Sequence, residues 1–324
     1  MRKAVDKHAV VIMVVLCTIW ALQQIALKGA ASDITTLAQV GLRAGVAAFL
    51  VGIVMLFRGL PLLGSGGLWK PGVFVGVLFA LEFLFVADGL KFTSASHMAV
   101  FLYTAPLFAS LGLHLTIPEE RLAPAQWMGM LLAFLGILVM FLGGKQTGEV
   151  NSLTYWGDFL GLLGGAVWGG TTVAVRKSRL SDAPPTQTLF FQLFGAFVIL
   201  TILSAFKGEL TFNLSYKSGV SLAFQGVVVC FASYLTWFWL LTRYQASQLG
   251  VLTFMTPPIG ILLGVAILGD RLELHFLVGT LMTLGGVVAV TGYGWYRRFL
   301  YSRAFRARES LVVSIGTDER AQAS

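Results

Sequence analysis

The sequence predicts an all-α integral membrane protein with ten transmembrane helices arranged as two inverted five-helix repeats. Three observations lead there. Apolar stretches near 20 residues long recur ten times in the 324 residues, and about 20 helical residues cross a hydrocarbon core about 30 Å thick. The chain matches itself when slid by about 150 residues. A proline also interrupts the middle of one stretch in each half, in FLYTAPLF (Phe101 to Phe108) and in LTFMTPPIG (Leu252 to Gly260). Composition agrees, because only 12% of residues are charged and 56% are hydrophobic, against about 25% charged in globular domains.

The spans are expected, in order, at 9–28, 34–57, 71–91, 94–117, 124–142, 154–177, 184–206, 218–241, 246–268 and 273–295. The first opens on MRKAVDKHAVVIMVVLCTIW, a basic start and apolar run like a secretory signal. Apolarity continues to Leu27 and nine spans follow, so an uncleaved helix is expected. Its WALQQ, Trp20 to Gln24, places an aromatic ring and two amides, Gln23 and Gln24, at mid-depth. Buried amides demand partners, which a zwitterionic or hydroxylated solute or a neighbouring helix could equally supply. The second span carries Arg43 nine residues in, and the third carries Glu82 eleven residues in from the other side. At 1.5 Å per residue the two are nearly level. An Arg43–Glu82 ion pair is therefore expected, as a structural lock or as a gate, since intramembrane charges are costly.

The fourth span begins with His97, a candidate proton acceptor, and holds Tyr103 and Pro106. The sixth holds Asp158, placed like a helix N-terminal charge, and Trp168. The eighth contributes SYLTWFW with Ser233 and Trp237, and the ninth Phe254 and Pro257. Aromatic rings in a cavity offer apolar area and a cation-π surface for an ammonium group. Cys17 and Cys230 lie inside spans and read as free buried thiols.

Orientation follows from Lys and Arg. With a cytoplasmic N-terminus, 16 fall in inside segments and 6 outside, with Arg43 inside a span, which places both termini in the cytoplasm. The formal charge of +8 then needs no nucleic acid. The tail YRRFLYSRAFRARES reads either as a basic surface helix on anionic lipid or as a solvated charged tail.

The repeat aligns FTSASHMAVFLYTAP, Phe92 to Pro106, with RYQASQLGVLTFMTP, Arg243 to Pro257. Ala95 and Ser96 fall on Ala246 and Ser247, and Arg121-Leu122 on Arg271-Leu272, while Gly129 and Gly136 meet Gly279 and Gly286 and Trp20 echoes Trp168. Five spans per copy is an odd number, so the second copy enters the bilayer from the opposite face. The copies are assigned to residues 1–146 and 152–300, with 301–324 as a cytoplasmic basic tail. Inverted repeats with interrupted helices place a solute site near the bilayer midplane and rock to alternate access. Pro106 and Pro257 both reach the middle, where each loosens a carbonyl that must find another donor; Thr104 and Thr256 are the nearby hydroxyls.

The stretch FTSASHMAVFLYTAPLFASLGLHLTIPEERLAPAQWMGMLLAFLGI, echoed in YQASQLGVLTFMTPPIGILLGVAILGDRLELHFLVGTLMTLGGVV, resembles the EamA domain of the drug/metabolite transporter superfamily. The resemblance covers nearly the whole chain as two copies. It implies a ten-helix inner-membrane carrier, typically an exporter of small metabolites such as amino acids. The aromatic amino-acid exporters of that superfamily carry a longer aromatic stretch before the first proline, where this chain has only Tyr103 before Thr104 and Ala105.

The candidate substrate-binding set is therefore Trp20, Gln23, Gln24, Glu82, His97, Tyr103, Trp168, Ser233, Trp237 and Phe254. The expected partners are a small-molecule substrate and the lipid bilayer, with protons as the candidate coupling ion through Glu82 or His97. Neither a Walker loop nor a metal-spacing cluster occurs, so no cofactor, metal or catalytic residue is assigned. The alternative, a membrane-embedded enzyme acting on lipid-linked substrates, would need clustered nucleophiles or paired acids, and a passive channel would not need the duplication.

Overall fold

The computed structural model describes residues 2–64, 66–93, 95–142, 152–210, 213, 215–268 and 274–293. The side chains of Gln24, Lys28, Ala95, Ser96, His97, Ser152, Ile261, Gly264, Val265, Ile267 and Leu268 lie outside that description, as do the basic tail and the Arg271-Leu272 half of the repeat match.

The helices run α1 Lys7–Gly29, α2 Thr36–Phe57, α3 Trp69–Gly89, α4 Ala95–Leu102, α5 Ala105–Thr116, α6 Pro124–Leu142, α7 Ser152–Lys177 and α8 Pro185–Phe206. Then α9 Tyr216–Ala223 continues through a π-helical stretch, Phe224–Ser233, into α10 Tyr234–Arg243. The next span is in pieces, α11 Ala246–Leu252, a 3-10 turn Thr253–Met255 and α12 Thr256–Leu268. A final helix, α13, is Leu274–Tyr293. Among the described residues nine helical stretches are long and apolar enough to cross a membrane, and the broken segment α11 to α12 stands beside them.

Polar residues mark where these helices start. Asp6 Oδ1 accepts from the Ala9 amide at 3.0 Å, and Thr35 Oγ1 accepts from the Ala38 amide at 3.4 Å. Ser215 and Ser218 cap α9 reciprocally, each hydroxyl satisfying an amide that has no partner in the first turn. At the other end α2 and α8 stop alike. Gly59 (φ 64°) and Gly208 (φ 67°) follow the last helical turns, and Leu60 N–H to Met55 O (2.9 Å) and Glu209 N–H to Ser204 O (2.8 Å) close the same reversal.

Large apolar side chains remain on the surface, among them Phe49, Phe57, Leu115, Met128, Phe206 and Leu281. So broad an apolar belt is unsustainable in water and suits a lipid-facing wall. Trp69, Tyr155, Trp156 and Tyr216 are exposed near helix starts, at the level where aromatic residues favour the membrane interface. Inside, small residues let helices touch at backbone distance. A Cβ on Gly136 would lie 2.5 Å from the Gly279 carbonyl, and one on Gly286 would lie 2.3 Å from the Gly129 carbonyl. Thus α6 and α13 cross antiparallel, with no room for a side chain between them.

Candidate functional site

Two helix breaks come together in the middle of the molecule. The first separates α4 from α5 at Tyr103 and Thr104, and Pro106 sits in the first turn of α5. The second separates α11 from α12, with Pro257 in the first turn of α12. Both prolines therefore begin the second half-helix, where a missing N–H costs nothing, and the chain opens just before them. The Thr104 hydroxyl donates to the Phe101 carbonyl at 2.5 Å, which also accepts the Thr104 amide at 3.2 Å. In the second break the helper is Thr253, donating to Gly250 O at 2.7 Å. Thr256, the residue expected there, donates to no freed carbonyl; its hydroxyl instead lies against the Cys17 thiol and the Tyr103 hydroxyl.

The Pro106 ring lies 3.9 Å from where a Gly250 Cβ would stand. Around this meeting point Ala105, Pro106, Trp168, Gly169, Trp237 and Gly250 enclose a cavity of about 10 Å³, close to the volume needed for one water molecule. Its walls extend outward as rings. Trp168 meets Tyr103 edge-on at 6.3 Å, and Trp237 meets Trp20 at 5.8 Å. Trp20 also packs on Tyr234 at 6.4 Å and gives its indole N–H to Ser233 Oγ at 3.0 Å. Phe79 continues the cluster from α3, 6.2 Å from Tyr234 and 5.1 Å from Phe83.

Beside the rings lie two buried charges, Arg43 and Glu82, 1% and 7% exposed. Their direct ion pair is not formed, contrary to the expectation from depth. Arg43 instead donates to Gln225 Oε1 at 3.1 Å and stands over the Phe83 ring at 5.2 Å. Glu82 Oε2 has no hydrogen-bond partner. Gln225 wins the guanidinium because it sits in the π-helical stretch, buried against α2 and held from the other side by Gln39 (3.2 Å) and Ser221 (2.9 Å). None of Gln39, Ser221 and Gln225 stands out in the sequence. A cluster of amides across the second and eighth spans would have been the only signal.

Of the sequence-predicted residues the structure thus brings together Trp20, Ser233 and Trp237 with Tyr103 and Trp168, next to Glu82 and both prolines. Gln23 is buried on α1, and Phe254 is fully buried in the core without lining the central cavity. Gln24 and His97 have side chains outside the described residues.

A second, wider cavity of about 630 Å³ opens on the face carrying the N-terminal segment, lined by Arg2, Glu119, Glu120, Arg176, Asp182 and Gln245 among others. No predicted site residue lines it. On the opposite face exposed ion pairs join the two halves of the chain: Asp88 with Lys207 at 2.7 Å and Lys91 with Glu209 at 2.7 Å.

Helices of membrane-crossing length, interrupted centrally around an aromatic cavity with buried charges beside it, define a multi-pass membrane transporter. The chain belongs to the EamA-like transporter family, whose sequence model matches residues 7–142 and again 155–292. It is 22% identical over 270 residues to "Uncharacterized transporter YoaV" of Bacillus subtilis, covering 83% of this chain and 91% of that one. An "Uncharacterized transporter" of Archaeoglobus fulgidus is 25% identical over 285 residues, covering 86% and 97%. A Salmonella typhimurium protein named "Probable amino-acid metabolite efflux pump" is 23% identical over 215 residues, covering 64% and 71%. A solved crystal structure shares the fold with a TM-score of 0.76 at 20% identity, over 88% of this chain and 98% of that one.

Proposed function

We propose that the chain is a secondary carrier that exports a small amphipathic metabolite, amino acids first, across the cell inner membrane by alternating access. On this reading the first repeat is residues 1–146 and the second, inverted one is 152–300. Ten spans then leave both termini, and the basic tail at 301–324, in the cytoplasm. The observation that carries it is the meeting of the two broken spans, one from each half, where Pro106 of α5 and Gly250 of α11 line an aromatic cavity. The inversion is supported by α6 and α13: Gly129 lies against Gly286 and Gly136 against Gly279, a reciprocal contact between positions that the repeat makes equivalent. An antiparallel pair related by a two-fold axis behaves this way.

The substrate class is supported by charge. Arg43 and Glu82 are both buried with no direct hydrogen bond between them, and a zwitterion brings a carboxylate and an ammonium of the complementary signs. The aromatic rings around them offer apolar area and cation-π stabilisation. Proton coupling, through Glu82 or His97, belongs to the same proposal.

The test is counterflow in proteoliposomes. Vesicles loaded with unlabelled amino acid should take up the labelled compound faster than empty ones, as a carrier requires and a channel does not show. No acceleration with any member of a panel of amino acids and their hydroxy analogues would remove the carrier reading for this substrate class.

A further inference from the structure

The wide cavity ends on an ion pair more elaborately held than any other among the described residues. Glu120 and Arg176 side chains are each 4% exposed. Glu120 Oε1 accepts from Arg176 Nε at 2.9 Å and Nη2 at 2.6 Å and from the Ala246 amide at 3.1 Å. Glu120 Oε2 accepts from the Ser247 amide at 3.1 Å and from its hydroxyl at 3.0 Å. Arg176 gives two of its three remaining donors to the Leu241 carbonyl at 2.6 Å and the Tyr244 carbonyl at 2.7 Å. One buried pair thus ties four pieces of chain: the α5 to α6 join, the end of α7, the end of α10 and the start of α11.

Its placement between the halves gives it a task. Glu120 comes from the first family-matched half, while Arg176, Leu241, Tyr244, Ala246 and Ser247 come from the second. The piece it grips, α11, is the half-helix that runs from this face to Gly250, which touches Pro106 at the central cavity. The N-terminal segment adds a strap over the same turn. Lys3 N–H donates to Arg243 O at 2.9 Å and Gln245 N–H donates back to Lys3 O at 3.0 Å, while Arg2 reaches Ser181 O at 2.6 Å. On the opposite face a buried hydrogen bond from the Thr93 hydroxyl to Asp158 at 2.5 Å joins the halves, and the ion pairs there are exposed. The Asp88, Lys91, Lys207 and Glu209 side chains are 28% to 47% exposed, and exposed pairs hold weakly and are screened by salt. A buried, multiply hydrogen-bonded pair cannot be weakened by water until the protein itself opens.

We propose that Glu120 is a positioning residue that gates the N-terminal face: with Arg176 it holds α11 against the first half, and that face opens to the central cavity only when Glu120 lets go of Ala246 and Ser247. The proposal rests on the alternating-access reading. A pair that gates differs from one that merely stabilises, because its loss frees one face and not the other. Replacing Glu120 by Gln keeps the size but removes the charge that draws Arg176 and two amides together. Asp keeps the charge on a shorter stem.

The experiment uses the full chain in proteoliposomes of known orientation, with Cys17 and Cys230 replaced by Ala and a single reporter, Ala109→Cys, in the wall of the central cavity. A charged, membrane-impermeant thiol reagent is added from each face in turn. Glu120→Gln should raise the labelling rate from the N-terminal face at least tenfold and leave the rate from the opposite face within twofold; Glu120→Asp should return it towards the parent rate. Unchanged labelling in Glu120→Gln overturns the gate, and so does an equal rise from both faces, which indicates general loosening. If Glu120→Gln fails to insert, Ser247→Ala, which removes one of the five bonds, should give a smaller rise with the same sidedness, and no rise there overturns the proposal. Counterflow in the parent protein is read separately, so a failed gate with intact counterflow leaves the carrier reading standing.

Discussion

A charge within a membrane protein is interpretable only together with what it touches. Arg43 and Glu82 come out level from helix rise alone, and the structure does bury both, yet depth says nothing of direction around the helix axis. Gln225, more than half the chain away, takes the guanidinium at 3.1 Å. The carboxylate is left with an oxygen that nothing bonds, an arrangement that is expensive unless something else uses it. This argues for a solute or proton role at Glu82 over a lock. Glu82→Gln should therefore keep or raise the melting temperature in detergent, since it removes a buried charge, while counterflow of amino acid falls at least about tenfold, about 1.4 kcal/mol in transition-state terms. A carrier unchanged in rate and in pH dependence would show that Glu82 serves neither substrate nor proton.

At the scale of elements most of the architecture was legible, because lipid imposes a length and an apolar composition that few other environments do. The spans expected at 34–57, 124–142 and 184–206 are Thr36–Phe57, Pro124–Leu142 and Pro185–Phe206. Trp20, Tyr103, Trp168 and Trp237 lie close together around the breaks. Three features were hidden. The π-helical stretch that turns Gln225 and Ser233 inward has no signature in apolar periodicity. The opening ahead of Pro257 depends on where a hydroxyl can reach a freed carbonyl, a matter of tertiary geometry. Glu120 and Arg176 carry no signal of burial in the sequence, since a buried ion pair and an interfacial one are spelled with the same letters. By contrast the glycines of α6 and α13 could be aligned between repeats, though not paired, from sequence. Their closeness gives a sharp expectation: Gly136→Ala should cost about 1 to 3 kcal/mol of overpacking and lower the detergent melting temperature. Gly170→Ala, where a Cβ meets nothing within 4 Å, should leave it unchanged or slightly raised. Equal melting of the two variants would mean that the α6 and α13 crossing is looser than its geometry.

Across the whole molecule the two faces are fastened by different physics, and they should respond to different perturbations. The N-terminal face is held by a buried ion pair and a backbone strap, the opposite face by the exposed bridges of Asp88, Lys91, Lys207 and Glu209 beside one buried hydrogen bond from Thr93 to Asp158. Exposed charges interact through a screening length of about 10 Å at 0.1 M salt and about 3 Å at 1 M, whereas the buried pair sees no added ions. Raising salt should therefore speed labelling of the central reporter from the face opposite the N-terminal segment and leave the other face unaffected. Protons should do little there near neutrality. Hydrogen bonds from Lys91 to Glu209 first, and to Asp88 next, raise the lysine above its ordinary 10.5. A raised basic group contributes in full below its ordinary value and loses its contribution only as pH climbs through the raised one, so the span from about pH 6 to 9 leaves Lys91 charged. Reversing the bridge tests the assignment directly. Asp88→Lys should open that face by setting it against Lys207, and adding Lys207→Asp should close it again. If the double variant labels as fast as the single one, the bridges ornament the surface, and closure on that side comes from helix packing and the buried Thr93–Asp158 contact.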